Sequence, residues 1–478
     1  MGAVHTRRRC FGAACVVLVG GALGLEAGCA RFARPVPQQP KVTVTVSMDV
    51  SALQALSTPQ VRAGLYRQFL SAFEAEQAGI RVRLAGFLGT DAMVAAIIAG
   101  SAPDVFPSPA PAYSQFFQKG LLLPLDAYLR RDQVDMGIWS PTLVSAFQTR
   151  QGTFALSRDI NPWIYAIRLD ILDQLGMNYP SADWTHTEFA QLAGSLSVSG
   201  QRVGVVFQPG ALDFVGILHG FGGAWTNGAR TSQTLATAAG IQAGRWLFED
   251  LVWPGFAAIG GDFHIRTNTA AMEEIQANSL LSLYQQLGDR VKWTLYPPPV
   301  YPRRRSGNVG AAFWAISAGT AQPEASWTLL QWLAIQPAFQ RMMMKAFLFP
   351  PALTALIAEW IADIQVVAPG LTGKGLRWVQ QSASQGWGAP QPYFAYDTPQ
   401  AFAVDAKLWQ ALQQRRTSVQ TGFTQADQQV DAIEQAGARA PAVTLRSLRA
   451  ARARSSVASA SVSGHSASGS GQSSAAAG

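Results

Sequence analysis

An alternation of strand-like and helix-like segments limits the fold of this chain more than any other feature. Residues 42–46 form a β-branched run that is typical of a buried strand. Apolar residues at four-residue spacing over 61–73 predict an amphipathic helix. A strand pattern at 80–84, a short apolar helix at 91–99 and a strand candidate at 103–106 follow. This βαβαβ order predicts an α/β fold with a mostly parallel sheet and helices on both faces.

The rest of the globular sequence mixes strands and helices and is too long for one hydrophobic core. A chain of 478 residues divides into more than one compact body. We expect two lobes with hinge crossings, 42–156 with about 309–345, and 157–308 with about 346–438. The patterns predict a strand at 163–167, helices near 211–222, 236–251 and 267–278, strands near 280–284, 291–295 and 309–316, and a mostly helical last third.

The N-terminus has the layout of an export signal. Three arginines at 7–9 precede an apolar run of about 15 residues, which is shorter than the roughly 20 residues of a membrane-spanning helix. We expect residues 1–28 to be a signal peptide that ends in a site resembling a bacterial lipobox, with Cys29 lipidated. Glu26 stands where a lipobox usually has Leu, so an ordinary signal is the alternative. The arginines fit general secretion and twin-arginine export alike.

The positive charge of the chain belongs to its two ends. The sequence has 37 Lys and Arg against 29 Asp and Glu, a net charge of +8. Ten arginines lie in the signal, in the Pro-rich tether at 29–41 and beyond residue 438, with Glu26 as the one acidic residue there, so the body together with Lys41 has a net charge near −1. This distribution argues against a nucleic-acid partner. Residues 439–478, Arg- and Ala-rich and then Ser, Ala and Gly, cannot bury a core and are predicted to be disordered.

The body lacks the residue patterns of a catalytic or metal centre. All three cysteines, Cys10, Cys15 and Cys29, precede it, so the hydrophobic core must stabilise it without disulfides. It has three histidines at no metal-type spacing, and no G-x-S-x-G motif. We therefore expect a protein that is not an enzyme and binds no cofactor and no metal.

Six short segments, taken in their order and spacing, resemble those of a known family. They are APDV at 102–105, FQKGLLLPLD at 117–126, LDILDQLGM at 169–177, YPSADWT at 179–185, AIS at 315–317 and PEASW at 323–327. Together they resemble the extracellular solute-binding proteins of ABC importers, family 1, which includes maltose- and glycerol-phosphate-type binders. The resemblance covers about 42–435, and Ala166 stands where the family usually has Asn.

The resemblance implies two α/β lobes joined by crossing segments, with a ligand held in the cleft between them. Closure of such lobes about a hinge is a general way to enclose a ligand. The implied partners are a small solute, most simply a mono- or oligosaccharide, a pair of membrane permease subunits and a cytoplasmic ATPase. We expect a monomeric, exported protein that the lipid on Cys29 anchors to the outer face of the cell membrane.

Candidate ligand contacts are polar or aromatic residues near predicted strand ends, crossings and glycine loops. Sugars require flat aromatic faces and planar polar groups, but core packing or a turn role is an equally good interpretation of each candidate. Trp327 and Trp332 fall on one helix and are predicted to be core. The candidates are Asp49 after the first strand, Arg158, Asp159, Trp163 and Tyr165 at the first crossing, Trp225 after a glycine loop, Tyr284 at a strand end, Asn308 before the return strand and Trp387 between glycines.

Two other functions stay open at this stage. A lipid-anchored glycan sensor or adhesin would need the same binding surface without transport. A secreted glycoside hydrolase would need a carboxylate pair, which spacing alone does not exclude. The arginines at 303–305 suit a phosphate but also suit a solvated loop.

Overall fold

The computed structural model describes residues 42–48, 59–149, 151–208, 214–347, 349–390, 392–396, 398–439, 447 and 450. The predicted signal peptide, tether and Cys29 lie outside these residues, as do Asp49 and nearly all of the C-terminal tail. The strands are β1 Val42–Ser47, β2 Ile80–Ala85, β3 Val105–Pro109, β4 Gln148–Thr149, β5 Gly152–Thr153, β6 Ala155–Ser157, β7 Asn161–Arg168, β8 Val203–Phe207, β9 Ala257–Ile259, β10 Ala270–Gln276, β11 Trp293–Tyr296, β12 Gly307–Gly310, β13 Ala312–Ile316 and β14 Gly388–Pro390.

The helices lie between these strands and dominate the C-terminal third, as the sequence predicts. They are α1 Pro59–Glu76, α2 Thr90–Ala99, α3 Ala110–Gln118, α4 Asp126–Arg131, α5 Pro141–Phe147, α6 Leu169–Gln174, α7 His186–Leu196, α8 Phe214–Gly220, α9 Ala238–Arg245, which a π-helical segment Trp246–Val252 continues, α10 Leu280–Leu287, α11 Pro323–Ala334, α12 Pro337–Phe347, α13 Ile357–Val367, α14 Arg377–Ser384, α15 Thr398–Gln413 and α16 Val419–Ala438.

The first sheet contains the predicted βαβαβ unit. Its strand order is β2-β1-β3-β13-β6, with β1 parallel to β2 and β3 and antiparallel pairing of β13 to β3 and β6. Asp104, which is 1% exposed, accepts hydrogen bonds from Thr45 Oγ1 at 2.7 Å and Thr320 Oγ1 at 2.7 Å. This carboxylate joins β1, the start of β3 and the turn after β13, which explains an Asp at this place in the 102–105 segment.

The second sheet is larger and is built around β7 and β10. Its order is β14-β12-β7-β10-β8-β9, and β11 also pairs with β7. β10 runs parallel to β8 and antiparallel to β7, and β8 runs parallel to β9. The predicted capping box begins α7: Glu188 N–H donates to Thr185 Oγ1 at 3.2 Å, and the Thr185 N–H donates to the Glu188 carboxylate at 2.7 Å.

Three segments of the chain pass between the two sheets. Residues 158–160 join β6 to β7, Ala311 separates β12 from β13, and residues 349–353 lead from α12 to α13. Asp159 forms a β-bridge with Pro351, so the first and third passages lie against each other. Since β12 pairs with β7 and β13 pairs with β3, the second passage is at Ala311.

Three sequence-based element assignments differ from the structure. The helix expected at 267–278 is the strand β10, and the strand expected at 280–284 is the helix α10. The single return strand expected at 309–316 is two strands, β12 and β13, in different sheets. β10 is buried between β7 and β8, so tertiary pairing overrides the helix propensity of its Ala, Met and Glu residues.

Most of the tryptophans are buried in the hydrophobic core. Trp327 and Trp332 are each 1% exposed, which confirms the prediction that this helical stretch is core. In the part of the chain that the structure describes, no helix is both long and apolar enough to cross a membrane. The same residues hold no cluster of three or more His, Cys, Asp or Glu side chains suited to a metal ion.

Candidate functional site

A cavity of about 190 Å³ lies where the three passages between the sheets meet. Each passage supplies part of its wall, so movement of one sheet relative to the other would change its shape. We call it the crossing cavity. Its lining residues are Arg158, Asp159, Ile160, Asn161, Gln276, Asn278, Gly310, Ala311, Ala312, Phe349 and Pro350.

The first passage brings a paired cation and anion to the crossing cavity. Arg158 Nε donates to Asp159 Oδ2 at 2.7 Å, and both side chains are 13% exposed. The other carboxylate oxygen of Asp159 accepts the N–H of Ala312 at 3.0 Å. The Arg158 N–H donates to the Ala312 carbonyl at 2.7 Å. The pair therefore ties the first passage to the second and places charged groups at the wall of the cavity.

Three residues with amide side chains line the same cavity, and a hydrogen bond between two of the side chains holds those two in place. Asn161 Nδ2 donates to Gln276 Oε1 at 2.8 Å, and Asn161 Oδ1 accepts the N–H of Asn278 at 3.0 Å. Asn161 begins β7 and Gln276 ends β10, and these strands are antiparallel neighbours, so both residues lie at the same edge of the second sheet. Planar amides held this way suit the hydroxyl groups of a neutral ligand.

The third passage adds an apolar face. Phe349 and Pro350 line the crossing cavity, and the Ile160 N–H donates to the Pro350 carbonyl at 3.3 Å. An aromatic residue and amide residues in one cavity wall combine an apolar surface with hydrogen-bonding groups, as a sugar ring requires.

A second polar cavity of about 360 Å³ shares Gln276 with the crossing cavity. It lies between α10 and the β8–β10 region, and Gln208, Arg266 and Ser279 contribute polar groups. On its wall His264 Nδ1 lies 3.4 Å from Glu273, whose other oxygen accepts the Ile265 N–H at 3.0 Å. The shared Gln276 makes the two cavities neighbours along one edge of the second sheet.

Two predicted aromatic contacts on β7 are part of the core. Trp163 is 3% exposed, and its Nε1 lies beside Gly310, directly behind the wall of the crossing cavity; among the described residues this N–H has no hydrogen-bond partner. Tyr165 is 2% exposed and packs edge-on against Phe189 with ring centroids 5.1 Å apart. Both residues lie on the expected crossing strand, but neither ring lines the cavity.

Asn308 and Tyr284 have packing contacts in the structure. Asn308 is 1% exposed, and its Oδ1 accepts the Gly216 N–H at 2.6 Å, which joins α8 to β12. Tyr284 lies within α10, not at a strand end, and its half-buried ring packs against Gly370. Neither side chain lines the crossing cavity.

The two tryptophans with glycine neighbours also lie away from the crossing cavity. Trp225 is 4% exposed, packs against Trp409 with ring centroids 5.7 Å apart, and lines a separate cavity of about 270 Å³. Trp387 is half-buried beneath the Arg305 guanidinium, 5.1 Å from its ring centroid. Arg305 also pairs with Asp183 at 2.8 Å, so the 303–305 segment is partly packed.

Of the predicted residues, the structure therefore brings Arg158 and Asp159 together at one cavity, while Asp49 lies outside the described residues. Sequence reasoning missed Asn161, Gln276 and Asn278. Asn161 was within reach, because it follows Arg158 and Asp159 at the start of the predicted crossing. Gln276 was missed because the sequence predicts a helix over 267–278, whereas Gln276 ends the strand β10.

The two sheets, the three passages and the cavity among them define a two-lobed binding-protein fold, and solved structures share it. The sugar-binding protein MalE from Xanthomonas citri matches with a TM-score of 0.68 and 14% identity, covering 83% of this chain and 98% of that one. The ABC substrate-binding protein Lmo0181 from Listeria monocytogenes, in complex with cycloalternan, has a TM-score of 0.65 and 16% identity, covering 83% and 99%. UgpB from Mycobacterium tuberculosis, in complex with glycerophosphocholine, has a TM-score of 0.64 and 17% identity, also covering 83% and 99%.

Sequence comparison assigns the family. The bacterial extracellular solute-binding protein family matches residues 68–368, which is more than half of the chain, and the chain belongs to this family. No curated protein matches it. The resemblance and the two-lobed α/β fold predicted from the sequence are thus confirmed, and the family is one of extracytoplasmic binding proteins.

Proposed function

We propose that this protein captures a small carbohydrate in the crossing cavity and delivers it to the permease of an ABC importer. The observation that carries the proposal is the convergence of the hydrogen-bonded Asn161 and Gln276 amides, the Arg158–Asp159 pair and the Phe349 ring at the junction of all three passages. Family membership supports binding without turnover.

The composition of the cavity favours a neutral, hydroxyl-rich ligand. Amide groups and a neutralised ion pair present both donors and acceptors, whereas a strongly charged ligand would need an unpaired opposite charge. The crossing cavity alone, at about 190 Å³, suits one sugar ring. Together with the neighbouring cavity of about 360 Å³ it enters the range of about 300–1,000 Å³ that is usual for larger ligands.

The importer role is supported by the family and by the proteins that share this fold. One structural neighbour is described as a sugar-binding protein and another as an ABC substrate-binding protein in complex with cycloalternan. We infer that this protein works with permease subunits and a cytoplasmic ATPase. We also infer that it acts as a monomer and does not catalyse a reaction.

We further propose that the protein is exported and lipidated on Cys29. The arginines and apolar run before Cys29, and the Pro-rich segment after it, support an anchor and tether. We also propose that the passages at 158–160, Ala311 and 349–353 divide the chain into lobes and act as the hinge. Mass spectrometry of the membrane-extracted protein would show a diacylglyceryl adduct, and Cys29→Ser would release the protein from the membrane.

Calorimetric titration of a sugar panel against the intact protein tests the function. Saturable binding of a mono- or oligosaccharide, with the sugar recovered unchanged, is the expected result. Release of a hydrolysis product would show a glycoside hydrolase. Binding followed by uptake in cells that carry the neighbouring permease genes separates an importer component from a sensor or adhesin.

A further inference from the structure

A second site, independent of the crossing cavity, is centred on Arg230. This residue lies in the segment between α8 and α9, with a positive φ of 61°. The segment is well ordered by its own hydrogen bonds: Asn227 Oδ1 accepts the Thr231 N–H at 2.9 Å, and the Arg230 N–H donates to the Asn227 carbonyl at 2.9 Å. The Arg230 carbonyl accepts the Ala395 N–H at 2.8 Å, so a second segment fixes it from the other side.

The Arg230 guanidinium is largely buried, and no acidic group among the residues that the structure describes pairs with its charge. Its Cζ lies 3.5 Å from the centroid of the Tyr393 ring, and Nη2 donates to the Ser145 carbonyl at 3.2 Å. Among the described residues, it donates no other hydrogen bond, and no carboxylate lies within 4.0 Å of it. Burial lowers the pKa of Arg230, as expected for a desolvated cation without an acidic partner.

Two cavities meet at this guanidinium, and neither has an acidic lining residue. One, of about 270 Å³, is lined by Trp225, Thr226 and His219 among others; the second, of about 220 Å³, is lined by Gln118 and Thr149 among others. Arg230 and Gly228 line both. The residues that line the two cavities thus provide N–H and O–H donors around the Arg230 cation, and none of these described residues has a carboxylate.

A second cation, Arg304, contacts His219, which is one of the wall residues of the larger cavity. Arg304 Nη1 lies 3.4 Å from His219 Nε2, and His219 Nδ1 is 3.2 Å from Ser306 Oγ. Burial, and then the charge of Arg304, lower the pKa of His219, so His219 stays neutral near pH 7. The wall of the larger cavity therefore includes a neutral imidazole that contacts the exposed Arg304 guanidinium.

We propose that the Arg230 pocket binds an oxyanion, the phosphate or carboxylate group of a small molecule. A buried charge without a partner is costly, and a guanidinium fork with open N–H groups matches an oxyanion in charge and geometry. The contacts to Ser145 and Tyr393 hold the guanidinium in place, but neither supplies the missing negative charge. This site is separate from the neutral, amide-lined crossing cavity.

The test is a calorimetric titration of the full-length protein with inorganic phosphate, and separately with acetate, at constant ionic strength set with sodium chloride. We expect saturable binding of at least one anion, and the tighter one identifies the group. Arg230→Gln should weaken that binding at least tenfold. Arg377→Gln removes an exposed arginine that stacks on Trp378 at 4.5 Å, and should leave the affinity within twofold.

A second variant covers the case in which Arg230→Gln does not fold. Gly228 is exposed, borders both cavities and lacks a positive φ, so Gly228→Glu would supply a carboxylate beside Arg230 without backbone strain. It should abolish anion binding while the Asn161→Ala variant of the crossing cavity retains it. Absence of anion binding in the wild type, or unchanged affinity in Arg230→Gln or Gly228→Glu, would overturn the proposal.

Discussion

Asn161 Nδ2 donates a 2.8 Å hydrogen bond to Gln276 Oε1, and this contact joins the start of β7, directly after the first passage, to the end of the neighbouring strand β10. Asn161 also accepts the N–H of Asn278 at 3.0 Å. We predict that Asn161→Ala weakens sugar binding about tenfold or more, because it removes one ligand contact and releases two others. A net loss of roughly 1.5 kcal/mol from hydrogen bonds corresponds to a factor of about ten.

The matched control for Asn161→Ala is Gln365→Ala. Gln365 lines a separate cavity of about 500 Å³ that borders on α13 and α14, and none of the crossing-cavity residues line that one. Isothermal titration calorimetry should give wild-type affinity for Gln365→Ala. Equal losses in both variants would show that the effect is not local to the crossing cavity.

Two Arg–Asp pairs of similar length should differ in their contribution to stability. Arg158–Asp159 is 2.7 Å long with both side chains 13% exposed, whereas in the 2.8 Å pair Arg305–Asp183 the aspartate is 91% exposed. Asp159→Ala should destabilise the protein by about 3 kcal/mol, because Arg158 loses its counter-charge and Ala312 N–H its acceptor. Asp183→Ala should cost about 0–1 kcal/mol. Urea unfolding of both variants measures the difference, and equal losses would contradict the prediction.

The buried carboxyl group of Asp405 should make stability depend on pH. Burial raises its pKa to about 7, and Gln233 Nε2, which donates to Asp405 Oδ1 at 2.7 Å, only partly offsets this. The unfolded chain releases this proton near pH 4 and the folded chain near pH 7, so this group's contribution to stability falls as the pH rises between those values and is constant above them.

Asp405→Asn should remove that pH dependence. The variant should gain stability relative to the wild type between about pH 4 and 7, reaching at most about 4 kcal/mol, since one pKa unit corresponds to about 1.4 kcal/mol. Urea unfolding between pH 4 and 8 measures the gain. Asp262→Asn, the same substitution at an exposed position, is the matched control. A stability gain for Asp405→Asn that does not change between pH 4 and 7 would contradict the prediction.

Close contact between α8 and β12 should make Gly216 intolerant of a side chain. A Cβ at Gly216 would lie 2.7 Å from the Gly307 carbonyl carbon and 2.9 Å from the Asn308 nitrogen, both backbone atoms. Gly216→Ala should therefore cost about 1–3 kcal/mol. Gly64 lies on α1 with no atom within 4 Å of such a Cβ, so Gly64→Ala should stabilise by about 0.5–1 kcal/mol. Thermal unfolding of the two variants should give shifts of opposite sign.

Elements whose local sequence agrees with their tertiary role could be predicted from the sequence. The β-branched β1, the alternating β2 and the capping box at Thr185 and Glu188 each carry their own signal. β10 does not, because its Ala, Met and Glu residues favour a helix and only pairing on both edges makes it a strand. The short apolar run of α10 fits a strand or a buried helix equally well.

The part of the candidate site that comes from one continuous segment could be predicted from the sequence. The part that distant segments contribute could not. Arg158 and Asp159 follow directly from the first crossing. Gln276 and Phe349 line the same cavity but belong to segments more than a hundred residues away. No local sequence pattern indicates that these segments lie together. Glycine neighbours make Trp225 a candidate ligand contact in the sequence, but its ring packs in the core.

Calorimetric titration of wild type and Gln276→Ala against the same sugar panel tests the central claim most directly. Gln276 lines both polar cavities, so we expect a sugar held in either cavity to contact it. The account predicts saturable binding of at least one mono- or oligosaccharide to the wild type and at least tenfold weaker binding to Gln276→Ala. Undiminished affinity in the variant, or no sugar binding by the wild type, would contradict it.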